Sequence, residues 1–338
     1  MTFDIYNPYS NQAVTKCYVS VIERALNSLS FPTKQVTQLR RRKENSNHGI
    51  IVIAARDAIK AKLAGYKKVI LWVQGAMAEE SYMRHHSKMR YIVLSCMEAV
   101  GLRVADFILF VSQAEKEYYS KKLKLKLDNS YVMPCFNEEI DERFFKDQNR
   151  YRENRFVYAG GLSVWQCFEP TVRLYRKIEE QVPDAHFRVL VKDHEAAKRV
   201  LEQYGVKNYS LGFVPPEEVG AEMAKAKFGF CIRENNVVNR VATPTKLSNY
   251  ISCGVMPIYS EYIEDFHSRA KKCSYCFCAN PDFSETTVNE IVQACRTNFS
   301  PEDVYLCYRE LFGEYYSAVS HIDKLSQVLR KLIAVNRG

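Results

Sequence analysis

The sequence contains no long apolar run: no window approaches the ~18 uninterrupted apolar residues of a membrane span. Its start, Met1-Thr2-Phe3-Asp4-Ile5-Tyr6-Asn7, lacks a basic segment followed by an apolar stretch, so neither a span nor a secretory leader is read there and a soluble cytoplasmic protein is expected. Internal repeats and low-complexity tracts are also missing, which excludes solenoids. The single C-x-x-C, Cys273 to Cys276, has Cys278, His267 and Cys295 nearby, but no second pair completes a four-ligand zinc set. The eleven cysteines are scattered and odd in number, which favours free thiols in a reducing compartment over a disulfide framework.

What is present is an ordinary globular composition, 47% hydrophobic and 26% charged, in a chain of 338 residues. That length exceeds the ~250–300 residues at which single cores stop growing, so two domains are expected. Lys and Arg number 48 against 39 Asp and Glu, a net charge of +9 that suits anionic ligands, nucleic acid or an acidic membrane surface. The interleaving of aromatic and basic residues that marks a nucleic-acid platform is not found, and no nucleic-acid partner is expected.

Short β-branched and aromatic runs alternate with longer amphipathic stretches, the pattern of β-α units around parallel sheets. Strands are predicted at 3–6, 50–54, 68–73, 106–111 and 130–133, and again at 155–159, 186–191, 228–232 and 255–259. Met89, Ile92, Val93, Cys96 and Val100 predict one long helix from Glu79 to Val104. Phe168, Val172, Tyr175, Ile178 and Val182 predict a second, Glu195 to Tyr204 a third, and Pro301 to Leu332 two more. The charged, aperiodic residues 135–154 read as a linker between a domain of residues 1–134 and one of 155–300, with 301–338 returning to the first.

Parallel α/β sheets bind ligands beyond the carboxyl ends of their strands, which singles out three loops. In the first, Gly160 and Gly161 follow a strand and allow close approach of a phosphate, with Trp165 and Gln166 just beyond. In the second, a polar loop containing Arg233 and Arg240 runs into a helix read as capped by Thr243 with Pro244 in its first position. Thr245, Lys246 and Asn249 lie on that helix, whose unpaired N–H groups together with the three cations suit a diphosphate. The third loop is Gln74-Gly75, followed by Glu79, Glu80 and Ser81, with His85 and His86 farther along the helix.

The segment Pro244-Thr245-Lys246-Leu247-Ser248-Asn249-Tyr250 through Gly254 and Pro257-Ile258 resembles the P-x-K-x-x-E-Y-x-x-x-G-x-x-P-[VI] donor helix of GT-B glycosyltransferases. Gly160-Gly161 resembles the first loop of their donor domain, and Gly212 to Val219 their G-x-[VI]-x-x-x-[ED]-[VL] segment. Trp72 to Ser81 is similar to the W-x-Q-G-x-x-x-E-E-S segment of a branch of the retaining family 4, or group 1, transferases of bacterial polysaccharide synthesis. The resemblance implies an α/β architecture of two doubly wound Rossmann-like domains facing a cleft. It further implies a glycosyltransferase moving a sugar, with retention, from a UDP- or GDP-linked donor to a glycan or lipid-linked acceptor. Catalytic roles are expected of Gln74 and Gly75, which fall in the Trp72 to Ser81 segment, and of His85, which lies close to them in the sequence. Nucleotide-sugar binding is expected of Gly160, Gly161, Thr245, Lys246 and Asn249, which fall in the matching segments, and, from their places in the loops after strands, of Trp165, Lys192, Arg233, Arg240 and Thr243.

Two departures stand out. Where the family carries two glutamates eight positions apart, Val241 and Asn249 stand here, and Val241 cannot hydrogen-bond a sugar. The Arg and Lys that usually follow the glycine loop are missing too, leaving Arg233, Arg240 or Lys246 to supply the charge, while Trp165 either stacks on the ligand or is core. No D-x-D occurs, so neither a metal nor a resident cofactor is expected. The basic runs Arg40 to Lys43 and Lys121 to Lys126 suggest peripheral contact with the inner membrane face. Competing readings are an epimerase or hydrolase of sugar nucleotides, and a noncatalytic basic protein binding nucleic acid or membrane.

Overall fold

The structure, a computed structural model, describes residues 1–7, 13–42, 47–147 and 149–334. It divides into two compact units, Met1–Asn137 with Tyr316–Gly338, and Glu138–Tyr315.

In the first unit six strands, β1 (Thr2–Tyr6), β2 (Thr33–Val36), β3 (His48–Val52), β4 (Lys68–Trp72), β5 (Phe107–Phe110) and β6 (Ser130–Val132), form a sheet in the order β2-β1-β3-β4-β5-β6. Every pairing is parallel. Parallel strands are covered by helices on both faces, which is why β4 and β5 are buried along their whole length and read as unbroken apolar runs. The helices are α1 (Ala13–Ser28), α2 (Ala55–Leu63), α3 (Met77–His85), α4 (Lys88–Val104) and α5 (Gln113–Leu123). Tyr18 of α1 stacks on Trp72 of β4 with ring centroids 3.8 Å apart.

The single helix expected from Glu79 to Val104 is two. His86 adopts a left-handed conformation (φ 51°) and its N–H closes α3 on the Tyr82 carbonyl. Ser87 then accepts from the Arg90 N–H and caps α4. The apolar stripe on α4 also faces outward, with Met89 78% exposed. The inward side carries Glu98, Gly101 and Leu102 instead, and Gly101 lies so close to Ala55 of α2 that a Cβ there would meet it at 2.6 Å.

In the second unit β7 (Arg155–Ala159), β8 (His186–Leu190), β9 (Tyr209–Gly212), β10 (Phe228–Cys231), β11 (Met256–Tyr259) and β12 (Phe277–Cys278) form another wholly parallel sheet, ordered β12-β11-β10-β7-β8-β9. The helices are α6 (Phe168–Glu179), α7 (His194–Gln203), α8 (Val219–Met223), α9 (Val237–Val241), α10 (Thr245–Ser252), α11 (Glu264–Ala270), α12 (Glu285–Arg296) and α13 (Pro301–Tyr315). Phe156 anchors an aromatic core with Tyr175, Phe228 and Phe230. The last helix, α14 (Ala318–Ala334), belongs to the first unit, where it packs on α1 and Ser326 hydrogen-bonds Ser28 and the Ala25 carbonyl.

The residues read as a linker are largely packed on the second unit. The Asp141 N–H donates to the Ser252 carbonyl, Phe145 meets Tyr305 and Tyr308 edge-on, and the Tyr151 hydroxyl donates to the Gly254 carbonyl. One disulfide, Cys273–Cys307, departs from the expectation of free thiols throughout; it joins the turn after α11 to α13, while the other nine cysteines form no disulfide. Among the described residues no helix is long and apolar enough to cross a membrane, and no group of three His, Cys, Asp or Glu side chains is placed to hold a metal ion.

Candidate functional site

The loops that follow β7 and β10 meet in the second unit around one lysine. Gly160 leaves β7 with φ +146°, a conformation that a Cβ makes costly, and a Cβ there would come within 3.2 Å of the Lys246 Nζ. Around Gly161 the same test finds open space. Tyr158 shapes this loop from below, its hydroxyl donating to the Gly161 carbonyl at 2.6 Å while its ring lies 3.9 Å beneath the Lys246 ammonium. Lys246 itself is buried, and its Nζ has no hydrogen-bond partner among the described residues. Burial, with repulsion from Arg233 added, pushes the ammonium down to about 7.

Arg233 is more firmly engaged. Its N–H donates to Ser260 Oγ at 2.9 Å, Nη1 to the carbonyls of Gln166 and Ile232, and Nη2 to Gln166 Oε1 at 2.9 Å. The guanidinium thus pins the Val164–Gln166 turn under the glycine loop, carrying Trp165, which is half-buried. Between Arg233 and α10 the chain is helical where a polar loop was expected. Asn236 caps α9 by accepting from the Asn239 N–H, and Val238 and Val241 are buried, so Val241 is a core residue. The cap of α10 is also displaced by one residue: Pro244 is the N-cap and Thr245 opens the helix, because Pro244 keeps an extended ψ of 118°.

Gly160, Gly161, Lys246 and Arg233, with Thr245 on the first turn of α10, therefore gather at the carboxyl ends of adjacent strands β7 and β10. Thr243 is half-buried just ahead of α10, and Asn249 is half-buried one turn beyond its start. Arg240 points elsewhere, its Nε 3.8 Å from Glu264, and Lys192 is exposed beyond β8.

In the first unit the backbone leaves β4 at Val73 and reaches exposed Gln74 and then Gly75, at φ +130°. The turn is held by a side chain that sequence reasoning missed. Glu115 of α5 is fully buried, and its two oxygens accept the N–H groups of Gly75 (2.6 Å) and Val111 (2.9 Å), tying the loop after β4 to the end of β5. Burial holds its carboxyl well above the usual range against the pull of those two donors. Glu80, from the E-E-S part of the segment, folds over the turn, so that a Cβ on Gly75 would meet Glu80 Oε1 at 2.7 Å. Burial pushes Glu80 up to about 7 against the opposing charge of Arg84. His85 is not brought to Gln74; it ends α3 on the exposed side, about 12 Å along the helix axis from its start.

In the two basic runs Arg40, Arg41, Lys121, Lys124 and Lys126 are exposed, and one cation of each is engaged. Arg42 is ion-paired with Asp4 beside the Tyr66 ring, and Lys43 lies outside the described residues. Lys122 is paired with Glu79 at 2.9 Å and lies 3.6 Å from Glu98.

Solved structures with the same architecture decide the fold. The chain superposes on the sucrose-phosphate synthase of Thermosynechococcus elongatus with a TM-score of 0.72, at 11% identity, over 99% of this chain and 100% of that one. The chain has the GT-B fold. Anabaena HepE, solved with UDP and glucose, shares this GT-B arrangement of elements with a TM-score of 0.69 and 10% identity, over 98% and 99% of the two chains. Staphylococcus aureus TarM, solved with UDP in one complex, matches with a TM-score of 0.64 and 8% identity over 85% of this chain, which spans only 56% of TarM. No protein-family model and no curated sequence matches this GT-B chain.

Proposed function

We propose that the chain is a glycosyltransferase that moves a sugar from a nucleoside-diphosphate donor, UDP- or GDP-linked, to a hydroxyl of a glycan or lipid-linked acceptor. One observation carries the reading: a buried, unpartnered ammonium, Lys246, lies beneath a glycine turn and beside the first turn of a helix at the carboxyl ends of β7 and β10. An ammonium buried without a counter-charge costs stability, and a diphosphate seated on the glycine loop offsets that cost. The solved structures of TarM and HepE with UDP support the same ligand chemistry for this fold.

In this reading Lys246 and the free N–H groups at the start of α10 stabilise charge that develops on the diphosphate as the bond to the anomeric carbon breaks. The acceptor hydroxyl attacks that carbon, with retention of configuration, and surface polysaccharide synthesis is the setting. Arg233 acts by positioning the Val164–Gln166 turn and through its field. On the acceptor side Gln74 offers an amide that both donates and accepts, with Glu80 close by. The placement of the protein is cytoplasmic and peripheral to a membrane.

A thermal-shift screen of UDP-, GDP-, ADP- and CMP-sugars tests the donor class. The matching donor at about a hundred times its Kd adds about 2.7 kcal/mol to native stability, and a flat response to all four removes the reading. Transfer is expected to persist in excess EDTA, since cations of the chain take the diphosphate charge; activity that vanishes with chelator and returns with Mn²⁺ contradicts this. Gln74→Ala is expected to lower turnover at least about tenfold with donor affinity and melting temperature unchanged, because the side chain is exposed and outside the donor unit. Wild-type turnover at saturating donor removes Gln74 from the reaction.

A further inference from the structure

The outer face of α4 is apolar and uncovered. Met89, Ile92, Val93, Cys96 and Val100 recur three or four residues apart, so they stack on one side of the helix, and all five are exposed. The helix cannot roll to bury them, because its other side is already fixed. Glu98 accepts from the Ala78 N–H and the Tyr119 hydroxyl, and Gly101 sits against Ala55. The charges flanking the stripe are of one sign: Lys88, Arg90 and Arg103 are exposed, while Glu98, the one carboxylate between residues 81 and 105, is buried.

Apolar side chains bordered by cations, with no exposed carboxylate on the same helix, match a bilayer surface that carries anionic headgroups. The chains seat at the acyl boundary and the cations meet the phosphates. A second copy of the chain meeting on the same face would bring like charges together, which opposes that occupant. We propose that the outer face of α4 docks the protein on an anionic lipid surface. This rests on the exposure and charge of α4 alone, so it stands or falls separately from the donor site in the other unit.

The test is flotation of the full chain with vesicles of phosphatidylcholine, alone and mixed two to one with phosphatidylglycerol. Capture by the mixed vesicles, weakened by salt, is expected, with a loss of at least about tenfold both in Ile92→Gln with Val93→Gln and in Lys88→Glu with Arg90→Glu. The charge swap places carboxylates at a helix N-terminus, which favours the helix, so the second variant keeps the test available if the first fails to fold. Cys96 is the exposed residue among the free cysteines, and an environment-sensitive fluorophore attached there is expected to shift to the blue on mixed vesicles, with Cys96→Ser as the labelling control. Equal capture of wild type and variants, no capture at all, or an unshifted fluorophore overturns the proposal. Self-association that Ile92→Gln with Val93→Gln abolishes, without vesicle binding, assigns the face to a second copy and overturns it as well. Donor-induced thermal shifts read the other unit and are expected to be the same in all variants.

Discussion

Lys246→Met is expected to weaken binding of the nucleotide sugar by about 10- to 100-fold while leaving nucleoside affinity within about twofold, since a charge-assisted contact to phosphate contributes roughly 1.5–3 kcal/mol. Methionine keeps most of the stem over the Tyr158 ring, so the loss reports the charge rather than a cavity. The pH dependence has a definite sign. With its ammonium pushed down to about 7, Lys246 is charged below that pH and increasingly neutral above it. An anion binds the charged form, which raises the pKa in the complex, so affinity falls as pH rises above about 7 and binding takes up protons. At pH 7 the uptake is about half a proton, it grows towards one at higher pH, and it vanishes below about pH 5.5. Calorimetry in two buffers of different ionisation enthalpy measures it, with an intact nucleotide sugar as ligand because that diphosphate does not titrate near neutrality. Proton uptake that survives in Lys246→Met, or equal losses for nucleotide sugar and nucleoside, would remove Lys246 from the phosphate site.

The second large effect is on folding. Glu115→Ala is expected to destabilise the first unit by about 3 kcal/mol, because it orphans two backbone donors, that of Val111 buried and that of Gly75 partly buried, each costing roughly 1–3 kcal/mol. Glu115→Gln keeps one acceptor and turns an NH₂ towards the other donor, so about half that loss is expected. Trp72, buried in its stack with Tyr18, reports the first unit when Trp165→Phe removes the other indole. Denaturation of Glu115→Ala at the wild-type midpoint in that background would show that the Gly75 turn holds without the carboxylate. If the turn loosens but the unit stays folded, turnover is expected to fall with donor affinity intact.

The central strands were legible because burial on both faces leaves an unbroken apolar run, as in β4 and β5. β2 and β9 were not, since Thr33–Val36 and Tyr209–Gly212 lie at sheet edges and are only partly buried, so no apolar run marks them. The α4 stripe shows a different limit. Periodicity reports that apolar residues share a face but not what covers it, and here the covered side is the one carrying Glu98 and Gly101. Within the candidate site, Gly160-Gly161 and Lys246 were legible from the strand-turn and helix-start pattern, whereas the engagement of Arg233 depends on Gln166, 67 residues away. Glu115 offered no local signal at all: its partner Gly75 is 40 residues distant, and only the pairing of β4 with β5 makes them neighbours.

The packing of α14 on α1 bears on how the chain is made. Residues 138–315 form a continuous unit, whereas the first unit is built from both ends of the described chain. On the ribosome the interrupted unit must wait, with the side of α1 that will meet α14 uncovered, until some 180 further residues have been synthesised and the intervening unit has had time to fold. A message truncated just after Tyr315 would therefore yield a complete second unit attached to an unfinished first one, a product that quality control can distinguish from the full chain by the bare flank of α1.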